Sequence, residues 1–165
     1  MPSVEPQNQT APEKIPFIVK LFASGLFTGY SPVASGTAGS LIGLLIYYIP
    51  GFEKLYVILP TIVVCFVLGL FASTKMEVVY GNDPPEVVID EIVGMWISLL
   101  FLPKTILFAV TSFFIFRLMD IVKPFPARKF NEMHGGFGVM MDDAVAGIYA
   151  NLVLELVLFI SARIN

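Results

Sequence analysis

Ile92-Val-Gly-Met-Trp-Ile-Ser-Leu-Leu-Phe-Leu-Pro103-Lys104-Thr-Ile-Leu-Phe-Ala-Val-Thr-Ser-Phe-Phe-Ile-Phe-Arg-Leu-Met119 is the stretch on which the threading of this chain turns. As one helix it would leave Lys104 near mid-membrane, at a cost of about 2.5–3.5 kcal/mol. As a helical hairpin, Pro103-Lys104 is a turn, which suits a residue with no N–H to give. The hairpin also brings the polar segments 24–40, 73–91 and 120–143 to one side of the membrane, whereas a single helix splits them.

Working outward, five apolar segments stand out: Leu41–Ile49, Leu55–Ala72, Ile92–Leu102, Thr105–Met119 and Ala144–Ala162. The second and fifth approach the roughly 20 residues that span a bilayer. The fold expected is all-α, a compact multi-helix membrane bundle of about four to five apolar helices with polar loops on one side. With the hairpin, Lys14, Lys20, Lys75, Arg117, Lys123, Arg128 and Lys129 fall on the polar-loop side, and only Lys54, Lys104 and Arg163 on the other. That imbalance puts the polar loops in the cytoplasm.

Composition agrees. Of 165 residues 56% are hydrophobic and 14% charged, with a mean hydropathy of +0.81, against about 25% charged in a soluble domain. A net charge of −3 excludes a nucleic-acid binder driven by bulk positive charge. The one cysteine, Cys65, gives neither a disulfide framework nor a thiolate metal site. Residues 1–16 are rich in Pro, Gln, Asn and Glu and read as a disordered tail, with one domain over 17–165.

The acids gather in clusters. One is Asp83-Pro-Pro-Glu86-Val-Val-Ile-Asp90-Glu91, leading into Gly94; another is Asp120 in Arg117-Leu-Met-Asp120-Ile-Val-Lys123; the third is His134-Gly-Gly-Phe-Gly-Val-Met-Met-Asp142-Asp143, leading into Gly147. Each pair taken alone can cap a helix, worth about 0.3–1 kcal/mol. Three clusters on one side of a small bundle would repel one another, by roughly 4 kcal/mol per pair at 4 Å and an effective dielectric of 20. A divalent cation removes that repulsion, and hard oxygen ligands point to Mg²⁺ rather than Zn²⁺. Adjacent helical residues diverge by about 100°, so one acid of each pair is expected to face the metal.

The glycine-rich run Ser35-Gly-Thr-Ala-Gly-Ser40 opens the first apolar helix without a charge. It reads either as a flexible entry turn or as a helix N-terminus that receives an anion. No Lys follows the glycines, so it is not a Walker A loop. Lys123 and Arg128 suit either lipid head groups or a metal-bound phosphate. His134 is the only group with an ordinary pKa near neutrality and is a candidate acid or base. Gly94 and Gly147 read first as close helix packing, and Glu155 as an intramembrane acid. Together these residues describe metal-assisted phosphoryl chemistry at a membrane surface.

Four of these pieces, in order, resemble the phosphatidylglycerophosphatase A family: Gly29-Tyr-Ser-Pro-Val-Ala-Ser-Gly-Thr-Ala-Gly-Ser40, Val88-Ile-Asp-Glu-Ile-Val-Gly94, Phe116-Arg-Leu-Met-Asp-Ile-Val-Lys-Pro-Phe-Pro126 and His134-Gly-Gly-Phe-Gly-Val-Met-Met-Asp-Asp-Ala-Val-Ala-Gly147. The resemblance implies a Mg²⁺-dependent phosphatase that converts phosphatidylglycerophosphate to phosphatidylglycerol in a bacterial inner membrane, its site facing the cytoplasm. In that reading Asp90 or Glu91, Asp120, and Asp142 or Asp143 hold the metal, and His134 is the candidate acid or base. Gly36, Thr37, Ser40, Lys123 and Arg128 bind phosphate. Both a water nucleophile and an aspartyl-phosphate are open. The partners expected are the lipid substrate and membrane lipids, and no nucleic acid. The rival from another class is a small divalent-cation transporter, which should place acids along a path through the membrane. Of the thirteen acids, only Glu155 lies deep in an apolar segment. A third reading, a structural subunit whose acids only cap helices, predicts no metal dependence.

Overall fold

The computed structural model describes residues 14–164, and its architecture follows from the turn at Pro103-Lys104. Lys104 Nζ donates to Glu53 Oε2 at 2.7 Å and to the Ile49 carbonyl at 3.3 Å, and sits over the rings of Tyr47 and Tyr48. The hydrogen bond from Lys104 holds the Glu53 carboxyl below its ordinary range. Thr105 then caps the next helix by accepting from Phe108 N. The charge that would be costly in mid-membrane is thereby fixed at one end of the bundle.

Seven α-helices are described: α1 Phe17–Ala23, α2 Ser35–Tyr47, α3 Leu55–Tyr80, α4 Ile89–Ser98, α5 Ile106–Val122, α6 Ala127–Asn131 and α7 Gly136–Ile164. No strand occurs among the described residues. The expected hairpin is α4 and α5, joined across their buried faces by Ser98 Oγ and Ser112 Oγ at 2.8 Å. The tail read from residues 1–16 lies, through residue 13, outside the described residues.

Helix α4 is the axle of the bundle. It packs against α2, α3, α5 and α7, and eight of its residues, from Ile89 to Ser98, are buried. Trp96 Nε1 donates to the Gly43 carbonyl of α2 at 2.9 Å. On the opposite face Gly94 and Gly147 lie back to back, and a Cβ on either would strike the backbone of the other helix. Close packing is therefore what these two glycines do, as small residues do where lipid offers no hydrophobic drive.

Among the described residues two helices are long and apolar enough to cross a membrane, Leu55–Tyr80, whose most apolar 18-residue window has a mean hydropathy of 2.6, and Gly136–Arg163, where that window has 2.0. At 1.5 Å per residue α3 is about 39 Å long, beyond the ~30 Å hydrocarbon core. Their outer faces carry exposed apolar side chains such as Tyr56, Phe71, Leu156 and Phe159. Helix α4, about 15 Å long, reaches only half that depth.

Two expected boundaries move. Helix α3 runs past the apolar segment Leu55–Ala72 through Ser73 to Tyr80; Ser73 and Met76 on that stretch are buried. The last helix starts at Gly136 rather than near Ala144. Asp142 and Asp143 consequently lie in its second turn, too far in to satisfy the orphan N–H groups of its start.

Candidate active site

Four helix ends, of α2, α4, α5 and α7, meet at the end of the bundle opposite Lys104, and with the loops before α2 and α4 they surround a cleft of about 560 Å³. Helix α2 contributes its N-terminus. Ala34, in the left-handed region at φ 49°, swings the chain into Ser35 with no side chain capping the first N–H groups. Ser35 and Gly36 line the cleft, so a helix start with unsatisfied donors faces it.

Across from that start, Asp90, Glu91 and Asp143 converge. One oxygen of each lies within 4.8 Å of the others. Asp90 is 6% and Asp143 3% exposed. The N-cap residue of α4, Val88, offers no side-chain cap, and of the two acids in its first turn Asp90 alone accepts from a backbone N–H there, that of Glu91. Both acidic pairs repeat one local device. Glu91 N–H donates to Asp90 Oδ1 and Asp143 N–H to Asp142 Oδ1, each at 3.0 Å. Asp90 and Glu91 each bring an oxygen to the same point, where one acid of the pair was expected to face a metal.

The donor set fits a hard divalent cation. Glu91 Oε2 and Asp143 Oδ2 are buried with no hydrogen-bond partner among the described residues, and like charges about 5 Å apart repel by about 3 kcal/mol at an effective dielectric of 20. Carboxylate oxygens without sulfur or imidazole are the ligands Mg²⁺ prefers. Six carboxylates and two cations line the cleft as a whole. A phosphate would be repelled from such a charge unless a bound cation offset it.

The two cations face the carboxylates from α5. Arg117 Nη1 pairs with Asp120 Oδ2 at 2.9 Å and lies 4.0 Å from Glu91 Oε1. Lys123, in the left-handed region at the end of α5, donates to Asp142 Oδ2 at 2.6 Å. Burial of the Lys123 ammonium opposes its charge. The Asp142 hydrogen bond and the neighbouring carboxylates outweigh that, leaving its pKa above the ordinary lysine value. Asn131 of α6 bridges Asp83 Oδ2 at 3.0 Å and Asp142 Oδ2 at 3.2 Å. Glu77 anchors the same loops by accepting from Asp83 N and Gly135 N.

Of the residues singled out from sequence, Asp90, Glu91, Asp120, Asp142, Asp143, Gly36 and Lys123 come together in this cleft. Asp142 serves Lys123, while Asp143 joins the three-acid group. Four others do not line it. His134 is exposed, Arg128 points outward with a 79% exposed side chain and pairs with Glu132, and Thr37 lies further along α2. Ser40 is buried with its hydroxyl bonded to the Gly36 carbonyl at 2.9 Å. Arg117, Asp83 and Asn131 are the additions. Arg117 had a signal in the sequence, its i,i+3 spacing to Asp120. Asp83 had one too, its place at the head of the first acidic cluster; Asn131 had none, because only the fold of its loop brings it to Asp83 and Asp142.

The profile of the family described as Phosphatidylglycerophosphatase A matches residues 21–158. A Bacteroides thetaiotaomicron protein provisionally named a phosphatidylinositol-3-phosphatase is 40% identical over 84% of this chain and 92% of its own length. Proteins named phosphatidylglycerophosphatase A from Escherichia coli and Haemophilus influenzae are each 36% identical. The first match covers 81% of this chain and 80% of the relative, the second 82% and 86%. No solved structure gives a significant match.

Proposed function

The chain belongs to the phosphatidylglycerophosphatase A family, and on that premise we propose that it hydrolyses the terminal phosphate monoester of phosphatidylglycerophosphate. Water adds to phosphorus, the bond from phosphorus to the terminal glycerol oxygen breaks, and phosphatidylglycerol and inorganic phosphate leave. The observation that carries the reading is the buried Asp90, Glu91 and Asp143 group with unmatched oxygens, set against Arg117 and Lys123.

Asp90, Glu91 and Asp143, with Asp120 at their edge, would hold Mg²⁺, which when bound supplies Lewis-acid polarisation of the phosphoryl group. Arg117 and Lys123 take up the charge of the phosphoryl oxygens, and the α2 N-terminus offers backbone donors from the other wall. Asp142 orients Lys123, and Asn131 orients Asp142. Catalysis of this kind is mostly positioning and electrostatics. The protein acts as a multi-pass protein of the inner membrane with its cleft toward the cytoplasm. That topology is supported by the cations gathered at the cleft end and by the bilayer-length helices. The acids meet at one end of the bundle rather than along a path through it, and nothing favours the transporter.

The relative named for phosphatidylinositol 3-phosphate favours a second substrate with the same chemistry. Both are tested by phosphate release from each lipid in mixed micelles, with Mg²⁺ present or chelated, beside Asp90→Asn and Asp143→Asn. The reading expects Mg²⁺-dependent release, faster from phosphatidylglycerophosphate, that collapses in both variants. Faster release from phosphatidylinositol 3-phosphate would transfer the assignment to that lipid. No release from either by folded protein would end the phosphatase reading.

A further inference from the structure

Beside the cleft a second cavity, of about 350 Å³, opens between α5 and α7, lined by Met119, Pro124, Phe125, Tyr149, Leu152 and Leu156. Its two walls both begin at the cleft. On α5, Met119 stands one turn before Lys123, and Pro124 follows it directly. On α7, Tyr149 and Leu156 lie seven and fourteen residues beyond Asp142. Seven residues are two helical turns less about 20°, so Asp142, Tyr149 and Leu156 share one face. The cavity is thus a groove headed by the Lys123–Asp142 ion pair. Tyr149 OH donates to the Phe125 carbonyl at 2.7 Å and pins the loop after α5 against α7, which gives the groove a fixed wall.

Depth and chemistry agree with that reading of the shape. From Tyr149 to Leu156 is about 10 Å along the helix, within one leaflet of a ~30 Å hydrocarbon core. Phe125, Leu152 and Leu156 are 70%, 57% and 58% exposed, an apolar surface with nothing from the described residues laid over it. We propose that this groove holds an acyl chain of the same lipid whose phosphate monoester enters the cleft. This rests on the lipid-phosphatase reading and adds the site that selects a lipid over a soluble phosphate ester. An acyl chain seated there leads its head group to Lys123.

The test fills the groove in the full-length protein. Leu152→Trp and, independently, Leu156→Trp place a larger side chain where the acyl chain would lie. Both positions are exposed, so thermal unfolding should match wild type. Val63→Trp, on the lipid-facing side of α3 and 60% exposed, is the control for bulk lipid contact. The expected result is a KM for the long-chain lipid raised about tenfold by either groove variant, with kcat within about twofold. The constants for the deacylated glycerol phosphate ester should be unchanged, and the Val63→Trp variant should behave as wild type. Equal effects on acylated and deacylated substrates, or on groove and control positions, would overturn the assignment. So would unchanged KM in both groove variants. The wild-type protein alone reports on the underlying phosphatase reading. If it releases phosphate while the groove variants behave as wild type, only the groove is lost; if it releases none, both are.

Discussion

The sharpest perturbation available is one methyl group, in Gly36→Ala. Helix α2 approaches α4 so closely at this residue that a Cβ would press on Glu91 Oε1, with both Arg117 Nη atoms at 3.0 Å. Comfortable contact needs about 3.5 Å or more, so the Glu91 carboxylate must retreat by roughly 1 Å. The obstructing atoms are the ends of long side chains rather than backbone. The fold can accommodate the methyl at less than about 1 kcal/mol, some 2–4 °C in Tm. The site is less forgiving, since misplacement by about 1 Å can cost on the order of a hundredfold in rate, or about 2.7 kcal/mol. Gly36→Ala should therefore lower kcat about a hundredfold and raise the Mg²⁺ concentration for half-activity, at nearly unchanged Tm. Phosphate release against Mg²⁺ concentration, with thermal unfolding of the same preparation, measures all three. Wild-type kcat and an unchanged Mg²⁺ requirement would refute the reasoning, because Glu91 would then not be held where α2 leaves room for it.

Mg²⁺ at a hundred times its dissociation constant should stabilise the wild-type protein by about 2.7 kcal/mol. Asp90→Asn and Asp143→Asn should lose most of that shift and, without metal, unfold no lower than wild type, since each relieves repulsion; scanning calorimetry in detergent reads both. Lys123→Met strands the Asp142 carboxylate and should cost about 3 kcal/mol of stability along with most activity. Adding Asp142→Asn should restore the stability but not the rate. Arg128→Ala and His134→Ala, both outside the cleft, should keep kcat/KM within about twofold, and a loss of a hundredfold in either would return that residue to the site.

The hairpin was legible because Pro103 and Lys104 each oppose a continuous membrane helix for a separate reason, backbone and charge. The carboxylate clusters were legible because acids are rare in so apolar a chain. Boundaries were less so. Asp142 and Asp143 interrupt the apolar pattern of α7 although they lie well inside it, so hydropathy starts that helix at Ala144 instead of Gly136. Orientation was hidden too. Thr37 and Ser40 belong to the same polar run as Gly36, but successive residues rotate about 100°, and only the faces of Ser35 and Gly36 meet the cleft. Arg128 and Lys123 are near neighbours in sequence. The left-handed turn at Lys123 sends one inward, while α6 carries the other out to solvent.

Helix α7 carries Asp142 and Asp143 near its start and then runs without a break to Ile164. The reacting centre and the length that sits in the lipid are therefore graduations on a single ruler. The altitude of the carboxylates above the bilayer is set by counting residues, at 1.5 Å each, rather than by the slack of a linker. A phosphate that floats higher or sinks lower than this mark is out of reach however well its chemistry matches. One residue inserted between Gly147 and Asn151 would shift the scale by a notch and turn its face by about 100° at the same stroke.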